Sequence, residues 1–177
     1  IGMFLPGKAT AVSWRGPMLH RTIKQFLSEV YFDELDILLL DLPPGTGDVA
    51  ISVGQLLPQS EVIVVTTPQV AAADVAERSA IVARKTGQHV FGVIENMSGL
   101  ALPDGTAFDL FGSGGGADVA ARLSTPDQVV PLLASIPLSL ALREGGDVGS
   151  PVVLSHPDDP AAAAILVVAE QLAQSVP

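Results

Sequence analysis

The chain has 177 residues, 48% hydrophobic, 16% charged and 5% aromatic, with a mean hydropathy of +0.46. This suits one compact domain spanning 1–177 and is the reverse of a disordered composition. Nineteen acidic against nine basic residues leave a net charge of −10, which argues against a general nucleic-acid binder, and the absence of cysteine removes disulfides, thiolate metal ligands and thiol catalysis together.

Read in chain order, Ile1-Gly2-Met3-Phe4-Leu5 is neither an initiator methionine nor a charged signal-peptide start, and leads us to expect polypeptide upstream. A short strand is predicted at Ala11 to Trp14. Pro17 then suits a first helical position, and Leu19, Ile23, Phe26, Leu27 and Val30 recur at the spacing of an amphipathic helix. Ile37-Leu38-Leu39-Leu40 is a continuous apolar run, predicted to be a strand covered on both faces. A helix is expected from about Thr46-Gly47-Asp48 to before Pro58, a strand at Val62 to Thr66, a helix from Ala71 to Thr86 closed by Gly87, and a strand at Val90 to Ile94. Asn96 to Gly116 reads as irregular, with a hairpin turn at Leu102-Pro103-Asp104-Gly105-Thr106. A short helix (Ala117 to Leu123), a strand (Leu132 to Ile136), a helix end with a turn at Arg143 to Asp147, and a final helix (Pro160 to Gln174) complete the pattern. The longest apolar stretch, Ala161 to Ala169, falls well short of the roughly 20 residues that span a membrane. Alternating β and α elements predict a mostly parallel sheet sandwiched by helices.

Ligands of open α/β sheets bind beyond the carboxyl ends of the strands. Four segments fall there: Asp41 to Asp48, Thr66-Thr67-Pro68, Glu95-Asn96-Met97-Ser98 and Ile136-Pro137-Leu138. An aspartate closing an apolar strand is the usual way to hold a nucleotide-bound Mg²⁺, directly or through water. Pro43-Pro44 stiffens the following loop, Gly45 allows a backbone N–H close to a phosphate, and Thr46 and Asp48 begin a helix, either capping it or facing the attacking water. A stiff strand-to-helix turn with no ligand would look the same. Asn96, with one donor and one acceptor group, fits a purine edge and equally fits a turn bonded to its own backbone. Gly112-Ser113-Gly114-Gly115-Gly116 lacks the Lys-Ser/Thr ending of a phosphate loop and reads as a flexible connection. His20, His89 and His156 have no metal-ligand spacing.

Several segments, in order, resemble one family. Trp14-Arg15-Gly16-Pro17-Met18-Leu19-His20, Leu40-Asp41-Leu42-Pro43-Pro44-Gly45-Thr46-Gly47-Asp48, Thr66-Thr67-Pro68-Gln69, Glu95-Asn96-Met97-Ser98, Leu110-Phe111-Gly112 and Leu142 to Asp147 together are similar to the Mrp/ApbC P-loop ATPases, of the MinD and nitrogenase-iron-protein type. The resemblance implies a cytoplasmic, ATP-binding and ATP-hydrolysing homodimer that carries or assembles iron–sulfur clusters and meets client proteins, with neither nucleic acid nor membrane as a partner. It implies that Asp41 is the aspartate beside Mg²⁺, holding the metal through water, that Gly45 offers its N–H toward the γ-phosphate, that Asn96 reads adenine, and that Pro137 and Leu138 border the base.

The sequence departs from this pattern twice. The family's G-K-G-G-V-G-K-[ST] motif is not among these residues, so the chain is expected to be the C-terminal part of a longer ATPase domain, inactive by itself. Where the family has its C-P-x-C cluster ligands stand Leu102-Pro103-Asp104-Gly105, and neither Leu102 nor Gly105 can ligate iron. A nucleotide-switched interaction protein that holds no cluster is the alternative the missing cysteines favour. A membrane-bound MinD/ParA-like ATPase would need a basic amphipathic C-terminal helix; after Arg143 there is no Lys or Arg.

Overall fold

In chain order the elements are α1 (Gly16–Glu29), α2 (Asp48–Leu56), β1 (Glu61–Thr66), α3 (Val70–Lys85), β2 (His89–Asn96), β3 (Leu100–Ala101), β4 (Ala107–Phe108), α4 (Gly115–Leu123), β5 (Leu132–Ile136), α5 (Leu140–Val148), α6 (Val152–Ser155) and α7 (Pro160–Ser175). The computed structural model describes residues 16–101 and 106–175. The predicted strand at Ala11 to Trp14 and the predicted turn residues 102–105 lie outside them.

β1, β2 and β5 form one parallel sheet in that spatial order. Each is short and aliphatic, as a strand covered by helices must be. The central strand β2 holds two fully buried valines, Val90 and Val93. They pack with Val64 of β1, with an alanine stripe on α3 (Ala73, Ala76, Ala80), and with Val119, Ala120 and Leu123 of α4. Alanines at three- and four-residue spacing let α3 approach closely, which a stripe of larger side chains would prevent. Gly92 serves the same end inside the sheet: a Cβ there would stand 2.5 Å from Leu133 Cγ. On the far strand, α7 buries Ala161, Ala162 and Val168, and Gln171 donates to the Leu133 carbonyl at 3.3 Å.

α1 begins with Gly16-Pro17, buries Ile23, and packs on α2; Phe26 meets Phe32 edge-on at 5.5 Å. The segment between these helices departs from expectation. Ile37 to Leu40 is not a strand, and Leu39 is 73% exposed. A strand needs a partner for its N–H and C=O groups. Among the described residues none is in place, because β1, itself an edge strand, faces this segment across an open cavity.

β3 pairs antiparallel with β4 on either side of the predicted turn. The glycine stretch before α4 is a close-packed helix start rather than a flexible connection. Gly114 adopts a left-handed φ of 81°, and a Cβ on Gly115 would lie 2.5 Å from the Pro68 carbonyl oxygen. Arg143 to Asp147 lies inside a helix instead of ending one: α5 is capped by the Ser139 hydroxyl, which accepts from Leu142 N at 3.1 Å, and is closed by Gly149 at a φ of 71°.

Candidate functional site

The strand register decides which residues share the carboxyl edge of the sheet. Thr66 pairs with Glu95, Glu95 with Ser135, and Asn96 with Ile136. Thr67, Asn96 and Ile136 therefore stand side by side where the strands end, with Pro137 one residue further on. Facing β1 is the loop that follows Leu40, and between them lies a cavity of about 1070 Å³. Asp41, Pro43, Pro44 and Gly45 line one wall; Thr66, Thr67 and Asn96 line another; Leu38, Leu39, Val62 to Val65 and Ile94 make an apolar interior. A large cavity, mainly apolar with a few polar groups at one end, is the form of a small-molecule site.

The structure thus brings Asp41, Gly45 and Asn96 together around one space. Asp41 is exposed and takes part in none of the ion pairs among the described residues. Gly45 has a φ of +88°, with nothing within 4 Å of the position a Cβ would take. Glycine is required there by the backbone turn, not by lack of room. Asn96 spends its side-chain oxygen on Met97 N at 2.9 Å, the local turn contact that was one of its two readings; this turn holds Met97 at a φ of 60°. The Asn96 amide nitrogen is left as a donor.

Other predicted residues stand apart from the cavity. Thr46 and Asp48 follow Gly45 but do not line it. Asp48 opens α2, and its Oδ2 lies 3.2 Å from the position of a Cβ on Gly16, against the start of α1. Pro137 and Leu138 sit beyond β2, stitched to the loop after it: Leu138 N donates to Gly99 O at 2.7 Å, and Ser98 N to Ile136 O at 3.0 Å. Arg143 pairs with Glu144 and Asp147 on the surface, and Arg122 with Asp74, Glu77 and Asp118, which together raise its pKa.

Glu95, quoted in the sequence only as part of a motif, proves to be scaffold. It is 4% exposed and accepts from Gly116 N at 2.6 Å and from Ser135 Oγ at 3.4 Å. Its carboxylate satisfies an orphan donor at the start of α4 and faces the positive end of that helix. Among the described residues there is no group of three or more His, Asp or Glu able to hold a metal ion, and no helix long and apolar enough to cross a membrane.

The parallel sheet flanked by helices, with its polar groups gathered at the strands' carboxyl edge, defines a P-loop NTPase fold of the MinD type. Solved structures share it. A nucleotide-binding protein from Archaeoglobus fulgidus, in complex with ADP, superposes with a TM-score of 0.64 at 34% identity over 75% of this chain and 53% of its own. The cell division ATPase MinD of Pyrococcus furiosus gives a TM-score of 0.64 at 26% identity over 93% and 63%. A family model described as the NUBPL iron-transfer P-loop NTPase, within ParA, matches residues 1–173, and the chain belongs to that family. It is 56% identical over 173 residues to the iron-sulfur cluster carrier protein of Mycobacterium leprae, covering 97% of this chain and 45% of that one. It is 61% identical over 159 residues to that of Mycobacterium tuberculosis H37Rv, covering 89% and 42%. The chain thus spans less than half the length of these curated relatives.

Proposed function

We propose that the chain supplies the metal-facing and base-facing side of an ATP site, in an ATP-hydrolysing homodimer of the iron–sulfur carrier family. One observation carries this reading: Asp41, Gly45 and Asn96, from separate stretches of sequence, line one cavity at the carboxyl edge of a parallel sheet. In this reading Asp41 holds Mg²⁺ through water, and the ion, when bound, neutralises phosphate charge. Gly45 turns its N–H toward the γ-phosphate. Asn96 donates its free amide N–H to the adenine ring, with Pro137 and Leu138 bordering the base from the neighbouring strand. Thr46 and Asp48, next along the loop, lead the chain into α2 outside the cavity and take no part in this reading.

In this reading the phosphate-gripping amides and lysines come from polypeptide outside these 177 residues. ATP hydrolysis measured on the 177-residue chain and on the longer protein containing it tests this division. The expected result is activity in the longer protein alone, reduced about 100-fold by Asp41→Asn, an effect of the size seen when a catalytic electrostatic contact is removed. Equal activity in the Asp41→Asn protein would refute the role of Asp41.

The lack of cysteine favours one variant of this reading, in which ATP gates dimerisation and client docking and the chain holds no cluster through thiolates of its own. Iron and acid-labile sulfide assays on the reconstituted longer protein decide it. Stoichiometric cluster supports a carrier; none supports the switch.

A further inference from the structure

Among the described residues, two buried side-chain polar atoms have no hydrogen-bond partner: Arg84 Nε and Thr67 Oγ1. The first is readily explained, because the same guanidinium donates through Nη2 to Leu123 O at 2.7 Å and to Gln128 Oε1 at 3.2 Å. Thr67 has a single hydroxyl, and it is wholly unpaired. Buried polar groups are nearly always satisfied, so an orphan beside a cavity points to something the cavity takes.

We propose that the Thr67 hydroxyl is a further ligand-binding group of this cavity, donating a hydrogen bond to an anionic oxygen of the phosphate chain of a bound nucleotide. The proposal rests on the nucleotide reading above. Three features support it. Thr67 lines the same cavity as Asp41 and Gly45 and leaves β1, the strand nearest to them, whereas Asn96 leaves the next strand inward. The hydroxyl is thus on the metal side of the site rather than on the side given to the base. Its backbone is held: Thr66 Oγ1 donates to Thr67 O at 3.2 Å, and buried Pro68 is roofed by Gly115. A β-branched side chain ahead of a proline has few alternative rotamers with which to find another partner. Finally, a hydroxyl can donate to an anion, and such charge-assisted bonds are the stronger kind.

The test uses the longer protein that contains this chain, with Thr67→Val, which removes the hydroxyl at nearly constant size, and Thr67→Ser, which keeps it. Affinity for Mg-ATPγS is measured by calorimetry, and ligand-free thermal stability alongside it. Thr67→Val is expected to bind about tenfold more weakly, the scale of one lost hydrogen bond to a charged group. Thr67→Ser is expected to stay within about threefold of wild type, and the ligand-free melting temperature of Thr67→Val to be no lower than wild type, since an unpaired buried hydroxyl contributes nothing to the fold. Unchanged affinity in Thr67→Val overturns the proposal. So does a ligand-free melting temperature lowered by several degrees, which would assign the hydroxyl to a bond within the folded protein. A wild-type protein that binds no nucleotide overturns the underlying reading as well, a result distinct from either.

Discussion

Two apolar runs of four residues, Ile37-Leu38-Leu39-Leu40 and Val62-Ile63-Val64-Val65, lie on opposite sides of one cavity, and only the second is a strand. Part of the contrast is side-chain chemistry: valine and isoleucine favour the extended backbone more than leucine does. The larger part is partnership. β1 exchanges hydrogen bonds with β2 and rests on the alanine stripe of α3, while the leucine run has no paired neighbour among the described residues. An apolar run confers the capacity to be a strand; the adjacent backbone realises it. The side of the molecule built on β1, β2, β5, α3 and α4 is finished, and the side carrying Asp41 is open.

That comparison can be broken or sharpened by substitution. Leu123, 1% exposed where α4 meets the sheet, should cost about 3 kcal/mol of unfolding free energy as Leu123→Ala, read by urea denaturation. Gly115→Ala should cost about 2 kcal/mol by the same measurement, because the new methyl meets the Pro68 main chain, which cannot swing aside as a side chain would. Leu39→Ala, at a 73% exposed position, should cost less than about 0.5 kcal/mol in the 177-residue chain. A value near that of Leu123→Ala would show that the leucine run is packed after all. A cost that rises by several-fold in the longer protein would locate further polypeptide against it.

Much of the packed side was legible in advance. The strands at Val62 to Thr66 and Leu132 to Ile136 and the helices over 70–85 and 160–175 follow from apolar period, and the antiparallel pairing of β3 with β4 is what the turn residues between them call for. What escaped were features set by tertiary contact. The five-residue glycine stretch looks loose in sequence, yet Gly115 and Gly116 are small because Pro68 and Glu95 press against them. Arg143 to Asp147 hides a helix because two internal glycines weaken its pattern, while Ser139 and Gly149 define its ends. At the candidate site the residues at the strand ends were readable from the rule that ligands meet carboxyl edges. Thr46 and Asp48 adjoin Gly45 in sequence, yet neither lines the cavity, and the Asp48 carboxylate lies against the start of α1. For Thr67 the sequence carries one signal, a hydroxyl just before a proline at a strand end.

Photolabelling of the longer protein with Mg-8-azido-ATP, followed by peptide mapping, tests the proposed site most directly. The account predicts covalent label in the peptides carrying Asn96 to Ser98 or Pro137 to Leu138, competed away by unmodified ATP. Competable label confined to other segments, or none in a protein that hydrolyses ATP, would contradict it.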